Sequence, residues 1–468
     1  MKINRHSILA VSIALCLSST AYSGGFTVTT QSASGGGTAS TNHAMAEDAS
    51  AMFYNPALLS SVEGTQFNVG VSLISPDLKV KNTGSALPTV AGGTPIVGVN
   101  EAEPTELAAT PSLFYKRDLS PHMAFGLGVN IPFGVSSEYE NDSFARYEAT
   151  ESALTTLNIN PAFSYRVNSK LDIGAGLNVQ LGSATLSRSI DSFLVCANAT
   201  GSPAACAANG LSGPGDASTD GSSVVEADGV AYGANIGAAY RPTANTTISL
   251  GYRSATKYDL EGDADFQHNA TLLGIIGQGN PAAGEAALAA GGLGDREATA
   301  ELELPASASL AFASKVGSKL TLHGDVTWTD WSSVPEIRID FPSTTNADLA
   351  DSVTDLQWED TVRVGAGVTY QLSGKTKLRA GIAYDPTATP GPNNRTPRAP
   401  RSDTLWLSVG VGHSFSKKLS VDASLAYLKP DDTSITYTSP SATLNYLTRA
   451  DVEATAINAA ISLNYKFK

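Results

Sequence analysis

The sequence predicts an all-β protein: a transmembrane antiparallel β-barrel of about 14 strands with an N-terminal helical hatch inside its lumen. Three features lead to this prediction. Apolar residues recur with a period of two, short and long connections alternate between the periodic segments, and residues 24–63 lack that period. After the N-terminal region, no stretch supplies the roughly 18 or more uninterrupted apolar residues that a membrane-spanning helix needs.

The period of two is clear where Leu171, Ile173 and Leu177 alternate with Asp172 and Asn178. In a membrane-spanning barrel, the apolar face contacts lipid, while polar residues and glycines line the lumen. A soluble β-sandwich would alternate in the same way, so the period alone does not identify a membrane protein.

The lengths of the connections add the information that the period lacks. Short polar connections fall at 117–122, 167–170, 241–246, 314–319, 372–377 and 414–418, and long irregular segments fall near 79–102, 136–150, 190–222, 262–297, 336–353, 386–402 and 430–452. Short turns on one side and long loops on the other are typical of an outer-membrane barrel. Closure of the barrel would give every backbone N–H and C=O in the hydrocarbon a partner.

Several aromatic residues lie near the predicted strand ends, where they would suit the aromatic girdles at the two membrane interfaces. They are Trp328, Trp331, Trp406, Tyr427 and Tyr465. Ordinary core packing is the alternative for each of them.

The N-terminus has the pattern of a signal peptide. A basic start is followed by an apolar run from Ile8 to Leu17 and by small residues before Gly24, so the mature chain is expected to begin Gly24-Gly25-Phe26. The predicted divisions are a signal peptide at 1–23, a hatch at 24–63 and an outer-membrane barrel at 64–468.

The predicted hatch is small, polar and rich in glycine. Asn55 can cap a short helix in which Pro56 takes the first position and Ala57 follows, and Gly64 can end it. Short helices do not hold together in isolation. A barrel of this size is too wide for its own side chains to fill, so the lumen is the expected place for the hatch.

Composition argues against several classes of function. The chain has 30 Lys and Arg against 44 Asp and Glu, a net charge of −14, which would repel a nucleic acid. Motifs of zinc proteases, serine hydrolases and nucleotide-binding loops do not occur, and the histidines are scattered. We therefore predict no enzymatic activity, no metal site and no cofactor.

Four segments in their order along the chain carry a resemblance to a known family. They are "AEDASAMFYNPALLS" (46–60), "VNIPFGVSSEY" (129–139), "TTLNINPAFSYRVNSKLDIGAGLNV" (155–179) and "WEDTVRVGAGVTYQLSGKTKLRAGIAYDPTATP" (358–390). Together with the start Gly24-Gly25-Phe26, they resemble the FadL/TodX family of outer-membrane transporters for hydrophobic compounds. The resemblance implies a fourteen-stranded barrel, a hatch carrying Asn-Pro-Ala, and lateral exit of the cargo where a wall strand kinks inward.

The candidate for that kink is Pro132-Phe133-Gly134. Proline cannot donate a hydrogen bond to a neighbouring strand, and glycine tolerates the backbone angles of a bulge. Without the resemblance, Pro132 could equally end a strand where a loop begins.

Two long loops carry apolar residues for which a solvated loop has no evident use. Phe193 and Leu194 lie in one loop, and Leu272, Leu273, Ile275 and Ile276 lie in the other. They could line a groove that captures a hydrophobic ligand, or they could pack together and seal the barrel. Arg188, at the outer end of a strand, is the candidate partner for a ligand carboxylate, with an ordinary exposed charge as its alternative.

Cys196 and Cys206 form a close pair in an exported protein, and a disulfide is the simplest expectation. Two free thiols or, less simply, a metal site are the alternatives.

The predicted function is passive uptake of hydrophobic small molecules, either long-chain fatty acids or aromatic and aliphatic hydrocarbons, across a bacterial outer membrane. The expected surroundings are outer-membrane lipid and lipopolysaccharide, and a monomer is expected. Two alternatives remain open. One is a general diffusion porin, and the other is a surface adhesin or phage receptor whose loops are the functional part.

Overall fold

The computed structural model describes residues 24–88, 91–342, 352–439 and 445–467. The predicted signal peptide lies outside the described residues. Within the described ranges, every helix falls short of the length and apolar character needed to cross a membrane.

Strands dominate the described chain. They are β1 (Gln66–Asn82), β2 (Glu101–Ala102), β3 (Ala108–Ser120), β4 (Met123–Asn130), β5 (Gly134–Glu138), β6 (Glu151–Arg166), β7 (Leu171–Ile190), β8 (Gly221–Thr243), β9 (Thr246–Arg253), β10 (Thr256–Gln267), β11 (Arg296–Leu304), β12 (Ser307–Val316), β13 (Leu320–Thr329), β14 (Glu336–Ile339), β15 (Ser352–Asp355), β16 (Thr361–Gln371), β17 (Thr376–Asp385), β18 (Thr404–Ser414), β19 (Leu419–Pro430), β20 (Thr433–Thr438) and β21 (Leu447–Lys466).

The strands close into an antiparallel ring. β1 pairs with β3 on one side and with β21 on the other, and the second pairing runs from Gln66 opposite Lys466 to Asn82 opposite Ala450. Several spans of the wall consist of two consecutive strands, such as β4 with β5, and the ring has 14 spans. The predicted all-β barrel is therefore confirmed. The tight turns lie at one end, which is the periplasmic end in barrels of this kind.

The predicted alternation also describes the wall. On β7, Asp172 and Asn178 are buried in the lumen, whereas Ile173 and Leu177 are 44% and 64% exposed on the outside. The outer surface is thus apolar at the height of the membrane, and the polar groups face inward.

For two of the aromatic residues predicted to lie in the girdles at the membrane interfaces, the prediction is wrong, because they face the inside of the barrel. Trp331 and Trp406 are buried, at 1% and 3% exposure. Trp331 begins a short 3-10 helix, Trp331–Ser333, that follows β13 and turns into the lumen, and Trp406 stands on the inward face of β18. Core packing, the alternative, holds for both. After β13 the chain turns inward at Trp331, whereas Trp406 follows the period of β18, between the outward-facing Leu405 and Leu407.

The residues of the predicted hatch contact strands on several sides of the interior. They form α1 (Ala33–Gly36), α2 (Ala51–Tyr54) and a 3-10 helix (Pro56–Ser61). The Ala33 N–H donates to Ser462 Oγ of β21 at 2.9 Å, and Asn55 Nδ2 donates to Ser249 Oγ of β9 at 2.7 Å. Contacts with such different spans place this segment inside the lumen.

Inward-facing glycines of the wall leave the space that the backbone of this segment occupies. A Cβ on Gly174 would lie 2.4 Å from the backbone nitrogen of Ala57, and one on Gly381 would lie 2.2 Å from the carbonyl carbon of Thr38. Any larger residue at these two positions would collide with the backbone of the N-terminal segment, so these glycines set how closely it can approach the wall.

Four further helices lie in the long loops at the opposite end: α3 (Ser192–Thr200), α4 (Pro203–Ala208), α5 (Ala270–Ile276) and α6 (Pro281–Ala290). Cys196 in α3 and Cys206 in α4 form a disulfide. Apolar side chains from these helices pack in one cluster over the barrel.

Candidate functional site

The wall changes register between β4 and β5. β4 pairs with β6 up to Asn130 opposite Asn158, and β5 resumes with Gly134 opposite Thr155. Three residues, 131–133, therefore stand opposite two residues of β6. One extra residue on one of two paired strands defines a β-bulge. This bulge includes Pro132 and Phe133, where the sequence predicted a kink.

The same change of register leaves a gap on the other side of the kinked span. β3 pairs with β4 only as far as Leu113 opposite Val129. Beyond that point, residues 108–112 of β3 pair with β1 alone in the described ladders. We call the space between residues 108–112 and β5 the wall gap.

The N-terminal segment lies against the kink from inside. Val28 N–H donates to the Pro132 carbonyl at 2.8 Å, and Gly134 N–H donates to the Phe26 carbonyl at 2.8 Å. Thr27 forms a β-bridge with Phe133. The expected mature N-terminus thus supplies the partners that the kinked wall strand lacks.

The two glycines before Phe26 occupy tight positions. A Cβ on Gly25 would lie 2.4 Å from the ring of Trp331, and one on Gly24 would lie 3.3 Å from Oδ1 of Asp385. The N-terminal segment is therefore seated between the kink and the far wall.

An apolar cavity, which we call the upper cavity, lies inside the barrel on the loop side of this segment. The centres of water-sized molecules can occupy about 70 Å³ within it. Its apolar lining comes from β5 and from strands that follow it along the chain, and it includes Val135, Leu154, Leu186, Val225, Leu260 and Leu302.

A second cavity, the lower cavity, lies between the N-terminal segment and the wall, and the centres of water-sized molecules can occupy about 110 Å³ within it. Its lining mixes Phe133 and Tyr54 with the charged Arg253 and Arg363. Burial raises the pKa of Tyr54 to about 12, so its hydroxyl is neutral at physiological pH.

An aromatic cluster of Phe26, Phe133, Trp331 and Trp358 lies between the two cavities. The ring of Phe26 is 4.9 Å from that of Trp358 and 6.0 Å from that of Trp331, and the two indoles are 5.3 Å apart and nearly perpendicular. Phe26 and Trp358 face the upper cavity, and Phe133 and Trp331 face the lower one. Movement of this cluster would join the two spaces.

Below the cavities, ion pairs fasten the N-terminal segment to the wall. Arg379 of β17 lies 2.7 Å from Glu47 and 2.8 Å from Asp422, and Lys377 lies 2.9 Å from Glu47. Although burial favours the neutral acid, Arg379 and Lys377 hold the pKa of the Glu47 carboxyl well below its ordinary value. Glu47 is therefore an anion held by two cations.

The Asn-Pro-Ala motif makes a second attachment. Asn55 Oδ1 accepts from the Ala57 N–H at 2.8 Å, which is the cap predicted from the sequence. Its Nδ2 donates into β8 and β9, and Ser61 at the end of the 3-10 helix donates to Asp172 at 2.8 Å. One asparagine thus starts the helix and fixes it to the wall.

The loop residues predicted to capture ligand are packed together. Phe193, Leu194 and Leu272 are buried in the cluster over the barrel, with Leu273, Ile275 and Ile276 packed against them. They line neither cavity. Arg188 is exposed at the outer end of β7.

The cation that does line the upper cavity is Arg398, which the sequence analysis did not single out. Its only local signal is the segment 395–400, "RTPRAP", in which a cation stands between two prolines. Nothing in that segment reveals that the loop turns into the lumen.

Comparison with known proteins gives the same architecture. Residues 14–467 match the model of the family described as outer membrane protein transport protein (OMPP1/FadL/TodX). The chain is 28% identical over 437 residues to the long-chain fatty acid transport protein of Escherichia coli K12, covering 90% of this chain and 91% of that one.

Two solved structures share the fold. The crystal structure of a Pseudomonas aeruginosa FadL homologue superimposes with a TM-score of 0.80 at 24% identity, over 95% of this chain and all of that one. The Pseudomonas putida toluene transporter TodX gives a TM-score of 0.60 at 20% identity, over 88% and 92% of the two chains.

The family match spans nearly the whole described barrel, together with the segment that carries Asn-Pro-Ala. The chain therefore belongs to the OMPP1/FadL/TodX family of transport proteins and resides in the bacterial outer membrane.

Proposed function

We propose that this barrel passively admits hydrophobic small molecules, which enter from the loops, occupy the upper cavity and leave sideways through the wall gap into the membrane. The names of its relatives support this class of cargo, because they transport long-chain fatty acids or toluene. Phe193, Leu194, Leu272, Leu273, Ile275 and Ile276 would form the first apolar surface that a ligand meets when the loops part.

The single observation that carries the lateral route is the position of the kink beside the upper cavity. Val135 of β5 and Leu154 of β6, which pair with each other directly after the bulge, both line that cavity. An apolar ligand in the upper cavity is separated from the wall gap by residues 26–28 of the N-terminal segment, where they pair with residues 132–134 of the kink. Displacement of residues 26–28 alone, with the rest of the N-terminal segment fixed, would open a short path to lipid.

The downward route is opposed by a tightly bonded segment. The residues proposed as the hatch, 24–63, are tied to the wall by Glu47, Asn55 and Ser61. Breaking these contacts would separate the buried Glu47 carboxylate from its cations, which costs several kcal/mol, and would leave the buried Asn55 amide without partners. Lateral exit avoids that cost.

The physical advantage of such a path is that it is apolar throughout. A water-filled pore gives a hydrophobic molecule no favourable environment, and the hydrated polysaccharide outside the membrane resists its passage. Transfer down a concentration gradient from an apolar cavity into lipid needs no energy source.

The finer assignments that accompany this proposal are a signal peptide at 1–23, a barrel at 64–468, a monomer surrounded by lipid and lipopolysaccharide, and no catalysis. A diffusion porin is the first alternative, and a large steady single-channel conductance of the intact protein would favour it. An adhesin or phage receptor is the second, and unimpaired hydrophobic uptake after deletion of the gene would favour that.

The lateral route is tested by straightening the wall. Deleting Pro132 removes the extra residue of the bulge and lets β4 and β5 pair continuously with β6. We expect uptake of a labelled long-chain acid or of toluene to fall to the level of cells without the protein, while the barrel still folds and inserts.

The matched control is Pro161→Val. Pro161 lies on β6 opposite Leu127, and the register of β6 with β4 and with β7 is the same before and after it, so this change should leave uptake intact. Normal uptake in the Pro132 deletion, with folding confirmed by the heat-dependent gel mobility of the barrel, would refute the lateral route.

A further inference from the structure

The bulge in the wall has backbone polar groups that need partners, and the partners come from two sources. The wall supplies one of them: Thr156 Oγ1 of β6 accepts from the Phe133 N–H at 3.1 Å and donates to the Phe133 carbonyl at 2.8 Å. The Pro132 carbonyl and the Gly134 N–H are instead paired with residues 26–28. The bulge therefore keeps its own shape at Phe133, whereas closure beside the wall gap depends on the N-terminal segment.

One side chain of the N-terminal segment also bonds to the kink. Gln31 Nε2 donates to the Val28 carbonyl at 2.6 Å and to the Ile131 carbonyl at 2.8 Å. Val28 is thus held at both of its backbone polar groups, the N–H by Pro132 and the carbonyl by Gln31. A single carboxamide joins the part of the segment that would move to the first residue of the bulge.

A chain of amides fixes the orientation of the Gln31 carboxamide. Asn130 Nδ2 donates to Gln31 Oε1 at 3.0 Å, and Asn158 Nδ2 donates to Asn130 Oδ1 at 3.2 Å. The two backbone carbonyls at the end of this chain can only accept, so the nitrogen of Gln31 must face them and each amide must donate in the same direction. All three side chains are at most 3% exposed, so bulk water does not compete for these bonds.

The residues that follow Gln31 are held by other contacts. Ser34 Oγ donates to the carboxylate of Asp48 at 2.8 Å, and the Ala33 N–H donates to Ser462 Oγ of β21 at 2.9 Å. Neither contact involves the residues that close the wall gap. Gln31 therefore lies at the boundary between a part of the segment that can be displaced and a part that is fixed.

We propose that the carboxamide of Gln31 is the latch of the lateral opening: it holds residues 26–28 against the kink and stays on the wall when they are displaced. This inference rests on the proposed function and assigns the residue that controls the opening. Displacement of residues 26–28 would break the bond from Gln31 to Val28 and keep the bonds to Ile131 and Asn130. Gln31 is a positioning residue, because it lines neither cavity and acts on the ligand path through residues 26–28.

The latch makes a definite contribution to the closed arrangement. The bond to the Val28 carbonyl exists only when residues 26–28 lie against the kink, so removing it should favour displacement by about fivefold, the net contribution of one hydrogen bond. The bonds to Ile131 and Asn130 exist in both arrangements, and their loss does not bias the opening.

The test removes the donor and follows the opening directly. Gln31→Met keeps the length of the side chain but cannot donate. Hydrogen exchange of the purified barrel in detergent, measured by mass spectrometry, should be about fivefold faster for peptides that contain Val28 and Gly134. Peptides from residues 33–63 should exchange as they do in the native protein.

Two further variants keep the result interpretable. Gln66→Met makes the same change at the start of β1, where Gln66 Nε2 donates to the Glu63 carbonyl at 2.6 Å; it should leave the exchange at Val28 unchanged. Asn130→Leu leaves Gln31 in place and removes the donor that orients its carboxamide, so a smaller acceleration is expected at Val28.

The consequence for transport is measured separately. Cells that carry Gln31→Met should take up labelled toluene or a labelled long-chain acid several-fold faster at limiting concentration, because the exit opens more often. Gln66→Met should not change this rate.

The possible failures are distinct. Native exchange at Val28 and Gly134 in Gln31→Met would overturn the latch. Faster exchange throughout residues 33–63 would show that Gln31 only supports the packing of the segment, which also overturns the proposal. Faster exchange confined to Val28 and Gly134, with no rise in uptake, would leave the latch standing and count against the lateral route of the proposed function.

Discussion

The two halves of the lumen are built from opposite chemistry. Near the periplasmic end, the N-terminal segment meets the wall through charges and amides such as Arg379, Glu47 and Asn55. Near the loops, the cavity is lined by aliphatic side chains such as Leu154 and Leu260. Hydrogen bonds and ion pairs demand one geometry, whereas apolar contact is non-directional.

This difference separates closure from passage. A polar interface holds the lower segment in one position, because each misplaced group would be buried without a partner. An apolar cavity accepts molecules of different shape and lets them leave again, because no specific bond must break. The barrel can therefore be closed to ions below and still admit hydrophobic molecules above.

The largest effect is expected from breaking the lower half. Arg379→Met leaves Glu47 and Asp422 buried without their shared cation, and removing one partner of a buried ion pair typically costs about 3–5 kcal/mol. We expect the segment to loosen, and single-channel recordings should show openings that the native protein lacks.

The control for this change is Lys257→Met, which removes a surface ion pair whose partners are 52% and 70% exposed. Surface pairs contribute about 0–1 kcal/mol, so its conductance should match that of the native protein. Native conductance in Arg379→Met would mean that the ion pairs do not hold the barrel closed.

The upper half can be altered without touching the lower one. Leu260→Asn puts an amide into the upper cavity, where it would lack hydrogen-bonding partners when an apolar ligand binds. Uptake of hydrophobic probes should fall several-fold, while conductance stays that of the native barrel. Leu428→Asn makes the same change at an inward leucine that lines neither cavity, and uptake should be unaffected there.

A smaller effect on stability is expected from a change of pH, which would act on Glu148 at the edge of the upper half. Burial raises the pKa of Glu148 from its ordinary 4.5 to about 7. Because the folded state binds this proton more tightly, the associated stability is complete below pH 4.5 and is lost as the pH rises through about 7. Glu148→Gln should remove this dependence.

The measurement is the melting temperature of both proteins in detergent between pH 4 and pH 8.5. The variant should melt higher than the native protein only at the alkaline end, by an amount that reflects about 1.4 kcal/mol for each unit of pKa shift. Melting curves that stay parallel over the whole range would argue that Glu148 titrates normally.

The sequence predicted the parts of the molecule that local patterns encode. The alternation at Asp172 and Ile173, the cap at Asn55 and the bulge position at Pro132 all depend on near neighbours, and the structure has each of them. The barrel follows from the same patterns, because strands with one apolar face and no free edge must close in a membrane.

Features that depend on distant parts of the chain could not be predicted in this way. The helix Ala33–Gly36 has only four residues, two of them glycines with low helix propensity, and it is fixed by contacts such as that of Ala33 with Ser462. The inward positions of Trp331 and Arg398 arise because loops return into the lumen. No local period marks such a return.

The most direct test of the central claim fixes the lower segment to the wall and asks whether cargo still passes. A Cβ on Gly36 would lie 3.5 Å from the Cβ of Ser424 on β19, a separation that a disulfide bridges. The double change Gly36→Cys and Ser424→Cys should therefore lock α1 in place. We predict that uptake of a labelled long-chain acid is the same in the oxidised and reduced forms, because the ligand leaves through the wall; uptake that stops on oxidation and returns on reduction would contradict the account.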